Sequence, residues 1–140
     1  MNYSRRDLAM LLPALAATAA AEESKTLPSK AFKYDELPVK ASGQNNSRQV
    51  LKGETHSGYA IDLHLTELGP GQAPHAPHHH VHEEMVMMRT GTLDVTINGK
   101  TTRITAGGIA YVASNEEHGW RNPGTDRAEY FVIALGRENA

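Results

Sequence analysis

The sequence contains no cysteine, which removes several kinds of chemistry at once. Disulfide bonds, thiolate zinc sites, iron–sulfur clusters and cysteine nucleophiles are all excluded. Aromatic residues are scarce at 6%, so a core must rest mainly on Val, Ile, Leu, Met and Ala. An excess of charge of one sign is also lacking, because 14 basic and 16 acidic side chains give a net charge of -2. No nucleic-acid partner is expected, since such a groove needs a clustered basic excess.

What the sequence does contain is enough apolar residue for one folded domain and an unusual number of histidines. A length of 140 residues corresponds to a single domain. The hydrophobic content of 39% is too high for a disordered chain. Five of the eight histidines fall within residues 75–82, and this cluster directs the functional interpretation.

The first 21 residues are predicted to be an export signal rather than part of the fold. Arg5 and Arg6 precede an apolar run, residues 8–17, that is shorter than the roughly 20 residues needed to cross a bilayer core. Small residues at 19–21 suit a cleavage site. The segment resembles a twin-arginine signal. We therefore expect a periplasmic or secreted protein with no stable membrane anchor after cleavage; an anchored N-terminal helix is the alternative.

The remainder is predicted to be all-β. Residues 22–46 lack periodicity and are interpreted as a linker and N-terminal arm, and residues 47–137 as the folded domain. Period-two alternation or β-favouring composition marks residues 59–65, 84–89, 93–97, 100–104, 109–112 and 129–135. Asn98-Gly99 predicts a type I′ hairpin turn. Short strands separated by Gly, Pro and Asn indicate a small antiparallel β-barrel or double-sheet jelly roll.

The histidine-rich stretch predicts a metal site. In an extended strand alternate side chains share a face, so His78 and His80 project together and Glu84 returns to the same face. His79 and Glu83 are out of phase and should face away. Two imidazoles and a carboxylate suit a first-row transition metal. A further ligand must come from elsewhere, and His118, which is expected to open a new strand after a turn at residues 114–117, is the only histidine after the cluster.

Two spaced motifs in this region resemble those of the cupin superfamily, and the resemblance covers roughly residues 51–136. They read His78-x-His80-x3-Glu84-x6-Gly91 and Gly107-x5-Ala113-x-Asn115-x2-His118-x3-Asn122. The sequence departs from the family pattern at three positions. Gln72 and Asn115 stand where glycine is usual, and Ala113 stands where proline is usual. Asn115 is a mild change, because asparagine tolerates the left-handed conformation better than most residues.

The resemblance implies a small single-domain cupin with one metal ion at the mouth of the barrel. Its ligands would be His78, His80, Glu84 and His118, and the cofactor one divalent first-row transition metal: Mn, Fe, Ni, Zn or Cu. His82 shares the parity of His80 and is expected to be an outer-sphere group or a substitute ligand. A surface metal-sequestering tract, with His79 and His82 also binding, is the alternative.

Strand parity also predicts the surroundings of the site. The expected pocket lining consists of Val86, Met88, Tyr111, Trp120 and Phe131, although Trp120 would serve equally well as plain core packing. Met85 and Met87 should then point outward. Such an apolar stripe needs cover from the N-terminal arm or from a second subunit, and we expect a homodimer.

The expected function is that of an exported metal-dependent enzyme acting on a small organic molecule. Dioxygenase-, isomerase- and lyase-like reactions are all compatible with three histidines and one glutamate, which leave up to two coordination positions open. A non-catalytic small-molecule-binding or metal-sequestering protein is the alternative. The sequence identifies no catalytic base or nucleophile beside the ligands.

Overall fold

The computed structural model describes residues 26–137; the predicted export signal lies outside these residues. Over this range the chain forms one 3-10 turn, Tyr34–Glu36, and nine antiparallel strands. The strands are β1 (Val39–Ser42), β2 (Asn45–Glu54), β3 (Ala60–Leu68), β4 (Glu83–Thr90), β5 (Thr92–Ile97), β6 (Lys100–Thr105), β7 (Ile109–Val112), β8 (His118–Arg121) and β9 (Ala128–Leu135). No helix in the described part of the chain is long and apolar enough to cross a membrane.

The strands form two sheets, which confirms the predicted all-β jelly roll. A six-stranded sheet has the order β1-β2-β3-β9-β4-β7, and a three-stranded sheet has the order β6-β5-β8. The turn between β5 and β6 is the predicted one, because Asn98 and Gly99 both have positive φ, at 47° and 79°. Seven strands were predicted, six at nearly their observed positions and β8 by its start at His118. The strands β1 and β2 were not predicted.

A single hydrophobic core lies between the sheets. The six-stranded sheet contributes inward side chains from β4 and β9, and the three-stranded sheet contributes side chains from β5 and β8. Its buried members include Val86, Met88, Tyr130, Val132, Leu93, Val95 and Trp120. The inward positions of Val86 and Met88 follow the period of two along β4, which leaves Met85 and Met87 on the outer face.

Strand β3 turns its polar face toward the interior of the jelly roll. His64 pairs in register with Val132, which pairs with the core residue Val86, so all three share the inner face. Leu65 pairs with Phe131, which pairs with Met87, so these three lie on the outer face. Ile61, Leu63 and Leu65 of β3 are therefore not part of the core between the sheets, whereas Leu68, on the inner face at the end of the strand, belongs to it.

The N-terminal arm lies on this outer face. The Tyr34 hydroxyl donates a hydrogen bond to Glu67 Oε1 at 2.9 Å, and Arg48 Nε donates to the same oxygen at 3.1 Å. The guanidinium of Arg48 stacks 4.4 Å from the Tyr34 ring centre, and that of Arg89 lies 4.3 Å from it. Burial tends to raise the pKa of Glu67, but its hydrogen bonds outweigh this effect and hold the pKa below the usual value.

The sheet begins earlier than the predicted domain boundary at residue 47. Residues 39–42 and the first two residues of β2 form a hairpin within the segment interpreted as an arm. Strand β1 is exposed at every position, and an edge strand of this kind needs backbone partners rather than an apolar pattern. For that reason β1 lacks the alternation of apolar and polar residues that indicates a strand in the sequence.

Gly91, in the tight turn between β4 and β5, is required by geometry. Its φ is 78°, and a Cβ atom there would lie 2.6 Å from the Arg127 carbonyl oxygen. Gly43 also has a positive φ, 58°, but a Cβ atom at that position would meet nothing within 4 Å. Comparing alanine substitutions at these two glycines therefore distinguishes the energetic cost of backbone strain from that of steric overlap.

We expect Gly91→Ala to lower the free energy of unfolding by roughly 3 kcal/mol or more, because strain and overlap act together. Gly43→Ala should cost about 1 kcal/mol, from strain alone. Urea unfolding of both variants measures the difference. Equal losses would show that the contact with Arg127 does not constrain the turn.

Candidate metal centre

The two histidine segments are joined by backbone hydrogen bonds. His78 and His118 form an isolated antiparallel bridge, in which His78 N–H donates to His118 O at 3.0 Å and His118 N–H donates to His78 O at 2.8 Å. The Asn115 N–H donates to His80 O at 2.8 Å, and the φ of Asn115 is 62°, in the left-handed region. These bonds hold the predicted ligands of both motifs in one place.

The segment 78–82 is not the regular strand that the parity argument assumed. Strand β4 begins only at Glu83, and the chain bends at residues 81 and 82. His79 is nevertheless exposed, while His78, His80 and His82 are half-buried. The side chains therefore divide between the two sides as predicted, although backbone bonds to residues 115 and 118 hold the segment rather than a continuous ladder.

Four polar side chains meet at the end of the jelly roll. His118 Nε2 lies 3.2 Å from Glu84 Oε2, and His80 Nε2 lies 3.4 Å from the same oxygen. Each of His78, His80 and His118 also offers a ring nitrogen within 4.8 Å of those of the other two. The structure thus brings together the four residues that the sequence singled out.

The backbone fixes which nitrogen of each histidine faces the centre. In all three rings Nδ1 lies at hydrogen-bonding distance from a carbonyl oxygen: Ala76 at 3.3 Å for His78, His82 at 2.8 Å for His80, and Glu116 at 2.8 Å for His118. A carbonyl oxygen can only accept, so each Nδ1 is assigned the proton and each Nε2 keeps its lone pair. This is the arrangement found around metal-binding histidines.

The converging atoms have no hydrogen-bond partner within residues 26–137. His80 Nε2, Glu84 Oε2 and His118 Nε2 are buried and unsatisfied, although they lie 3.2–3.4 Å apart. Buried polar atoms are rarely left without a hydrogen-bond partner or a bound ion. Ligands bound at about 2.1 Å around one ion are themselves about 3 Å apart, so the spacing and the nitrogen–oxygen donor set fit a first-row transition metal.

The surroundings favour neutral imidazole at His78. Burial lowers the pKa of His78, and electrostatic repulsion from His75 acts in the same direction. The two rings are in edge contact, with their centres 4.2 Å apart. A neutral ring is the form that binds metal.

His82 lies beside the four residues and contacts two of them, His80 and Glu84. Its ring stacks on His80 at 3.5 Å between centres, and its Nε2 is 3.6 Å from Glu84 Oε1. His80, His82 and Glu84 form a second group whose ligand atoms lie within 4.8 Å of one another. This position is compatible with either expected role, as an outer-sphere group or as a substitute ligand.

A cavity of about 460 Å³ opens onto the histidines. Its walls come mainly from β2, β3, β9 and the segment before β4. The side chains that matter for its chemistry are Lys52, Asp62, His64, His78, Glu84 and Arg137. This volume is within the range of small-molecule sites.

The predicted pocket lining was wrong. Val86, Met88 and Trp120 belong to the closed core behind the centre, where Trp120 Nε1 donates to Tyr130 O–H at 2.8 Å. Tyr111 and Phe131 are on the outer face, and Tyr111 is 52% exposed. The error has one cause: sequence parity identifies which residues point inward, but not whether they meet the core or the cavity.

Lys52 and Asp62 carry no sequence signal that marks them for the site, and the position of His64 on the polar face of its strand is equally typical of a surface and of a pocket-lining residue. Asp62 and His64 alternate with apolar residues on β3, a pattern that usually marks a solvent-facing side. Here the apolar side faces outward under the arm, so the polar side lines the cavity. Strand β2, which carries Lys52, has a register shift between Gln49 and Leu51 that breaks any alternation.

The fold and the site together define a class of protein: a jelly roll with a three-histidine, one-glutamate cluster at one end. A model of the cupin domain family matches residues 64–134, and the chain belongs to this family. No curated protein matches the sequence at a significant level.

Several solved structures share the fold at low sequence identity. An RmlC-like cupin from Shewanella frigidimarina superposes with a TM-score of 0.65 at 17% identity, covering 79% of this chain and 95% of its own. KdgF from a Halomonas species gives 0.67 at 15% identity, covering 80% and 98%. The polyketide cyclase RemF from Streptomyces resistomycificus gives 0.67 at 15% identity, covering 81% and 83%.

Proposed function

We propose that this cupin binds one divalent first-row transition-metal ion through His78, His80, Glu84 and His118. The observation that carries the proposal is the set of three Nδ1 atoms held by backbone carbonyls, which leaves the three Nε2 lone pairs for an ion; the Nε2 atoms of His80 and His118 lie 3.4 and 3.2 Å from Glu84 Oε2. A bound ion would supply Lewis-acid polarisation or, if redox-active, activation of oxygen.

The chain's own residues prepare this site before any ion arrives. Glu84 contributes the one negative charge among the four donors. The ring of Trp120 stacks on His118 with 5.6 Å between centres, and the backbone bridge fixes His118 opposite His78. Little ordering of side chains is then needed on binding, which favours affinity.

We further propose that the protein is a metal-dependent enzyme with a small organic substrate. Two observations support this proposal: the cavity of about 460 Å³ beside the four donors, and the fold shared with the polyketide cyclase RemF. A dioxygenase-, isomerase- or lyase-like reaction would use the open positions of the ion. Sequestration of metal is the weaker candidate, because His79 faces away from the cluster.

The ligand set is tested by single substitutions. We expect His78→Ala, His80→Ala and His118→Ala each to reduce bound metal well below one ion per chain, because each removes a converging Nε2. The metal-induced rise in melting temperature should shrink with it, since an ion at a thousandfold excess over Kd stabilises the fold by about 4 kcal/mol. Elemental analysis and thermal unfolding, with and without chelator, measure both quantities.

His79→Ala is the matched control, because this side chain is exposed and belongs to neither group of converging ligand atoms. It should keep one ion per chain and the full shift. If all four variants lost metal equally, the assignment of ligands would be wrong. Several ions retained in His118→Ala would favour sequestration instead.

We propose that the protein is exported in folded form, on the strength of the arginine pair and short apolar run in residues 1–21. Arg5→Lys combined with Arg6→Lys should leave a folded precursor in the cytoplasm, because the pair is what twin-arginine export reads. Cell fractionation followed by immunoblotting measures the change. Unaltered export of the double variant would contradict the proposal.

We also propose a homodimer that uses the outer face near β7. Met85 pairs in register with Tyr111, and Met87 pairs with Ile109, which is 63% exposed. These four side chains form an apolar patch, and β7 is the edge of its sheet. Ile109→Lys should shift the protein to monomers in light scattering, whereas Tyr59→Lys, at another exposed position, should not. A monomeric wild type would refute the dimer.

A further inference from the structure

Asp62 and His64 line the cavity from β3, two strands away from the proposed metal ligand Glu84. Both belong to β3, two residues apart, so they share one face of the strand. Asp62 pairs in register with Ala134, which pairs with Glu84. Neighbouring strands are about 4.8 Å apart, so the Asp62 and Glu84 backbones stand about 10 Å apart, with only a methyl group between them. A small ligand has room there.

Hydrogen bonds keep Asp62 ionised. Gln49 Nε2 donates to Asp62 Oδ1 at 2.9 Å, and Lys52 Nζ lies 3.1 Å from Oδ2. Burial tends to raise the pKa of Asp62, but the hydrogen bonds from Gln49, Lys52 and His64 outweigh it and hold that pKa below its usual value. An ionised carboxylate is an acceptor only.

Asp62 in turn fixes the ring of His64. His64 Nδ1 lies 3.2 Å from Asp62 Oδ1, so Nδ1 carries the proton and Nε2 has the lone pair. Within residues 26–137 nothing forms a hydrogen bond with His64 Nε2, and His64 lines the cavity. A histidine oriented by a carboxylate in this way, beside a site for the reacting molecule, is suited to proton transfer.

We propose that His64 exchanges a proton with a molecule held at the metal centre, and that Asp62 is its positioning residue. The inference rests on the proposed metal site. In the forward step an O–H or C–H bond of the ligand breaks, its electron pair stays on the ligand, and an N–H bond forms at His64 Nε2. The imidazolium is stabilised by the Asp62 carboxylate and returns the proton in a later step.

None of the other charged groups facing this cavity has an oriented lone pair available to accept a proton from a ligand. They are Lys52, His78, His80, His82, Glu84 and Arg137. Lys52 is paired with Asp62, and Arg137 Nη2 lies 3.4 Å from Glu54 Oε2. The histidines at 78 and 80 and Glu84 are committed to the centre. His82 Nε2 lies 3.6 Å from Glu84 Oε1, and its Nδ1 is buried with no hydrogen-bond partner among residues 26–137, so no acceptor orients its ring as Asp62 orients His64. His64 is the group whose oriented lone pair remains for a ligand.

The experiment counts protons with acetohydroxamate, a small chelator that loses one proton when it binds a metal ion. Full-length wild type is loaded with one Ni²⁺ per chain and titrated calorimetrically near pH 8, above the ordinary imidazole pKa of about 6.5. Repeating the titration in two non-chelating buffers of different ionisation enthalpy gives the number of protons released per probe bound. Metal content is measured first for every variant.

Wild type should release close to no protons, because His64 takes up the one that the probe loses. His64→Gln should release about one proton per probe while keeping its nickel. Asp62→Asn should behave like His64→Gln, because the ring loses its orientation. His56→Gln, which changes an exposed histidine outside the cavity, should match wild type.

Release of about one proton by both wild type and His64→Gln would overturn the inference and leave the metal site standing. If Asp62→Asn released the same number of protons as wild type, the positioning role of Asp62 would be overturned. Nickel-loaded wild type that fails to bind the probe would also overturn the inference, because the ligand space would be closed. Wild type that holds no nickel would instead refute the proposed function itself.

Discussion

The pair of backbone hydrogen bonds between His78 and His118 is the constraint on which the site depends. It joins a segment that belongs to no regular strand to the start of β8 in the three-stranded sheet. Backbone pairing of this kind fixes position without using the side chains. Both imidazoles are therefore free to converge on the same centre, where His118 Nε2 lies 3.2 Å from Glu84 Oε2, and each Nδ1 is already held by a carbonyl oxygen.

The inner face of β4 contributes both to the closed core and to the candidate metal centre. On β4 the alternation places Glu84, Val86 and Met88 on the same side, but only the last two enter the closed core. Glu84 lies at the end of the jelly roll, where the sheets part and the cavity begins. Trp120 links the two regions, because its ring stacks on His118 and its Nε1–H donates to Tyr130 in the core. Stability and ligand geometry are thus coupled through one side chain.

Much of this arrangement could be predicted from the sequence, and the remaining features could not be predicted for identifiable physical reasons. Local signals sufficed for the Asn98-Gly99 turn, for seven strands and for the common side of His78, His80 and Glu84, whereas His118 was added by the resemblance to the cupin motifs. Strand β1 escaped because an exposed edge strand needs no apolar pattern. The cavity lining escaped because Asp62 lies beside Glu84 only through the pairing of β3 and β4 with β9, which joins residues far apart in sequence.

The central claim is that one ion sits among three Nε2 atoms and the Glu84 carboxylate. X-ray absorption spectroscopy of the protein loaded with one Ni²⁺ per chain tests it most directly, because it reads the atoms around the metal. The account predicts a shell of nitrogen and oxygen alone at about 2.1 Å, with the outer-shell scattering of three imidazole rings. A shell fitted by water and carboxylate oxygens, with one imidazole or none, would contradict it.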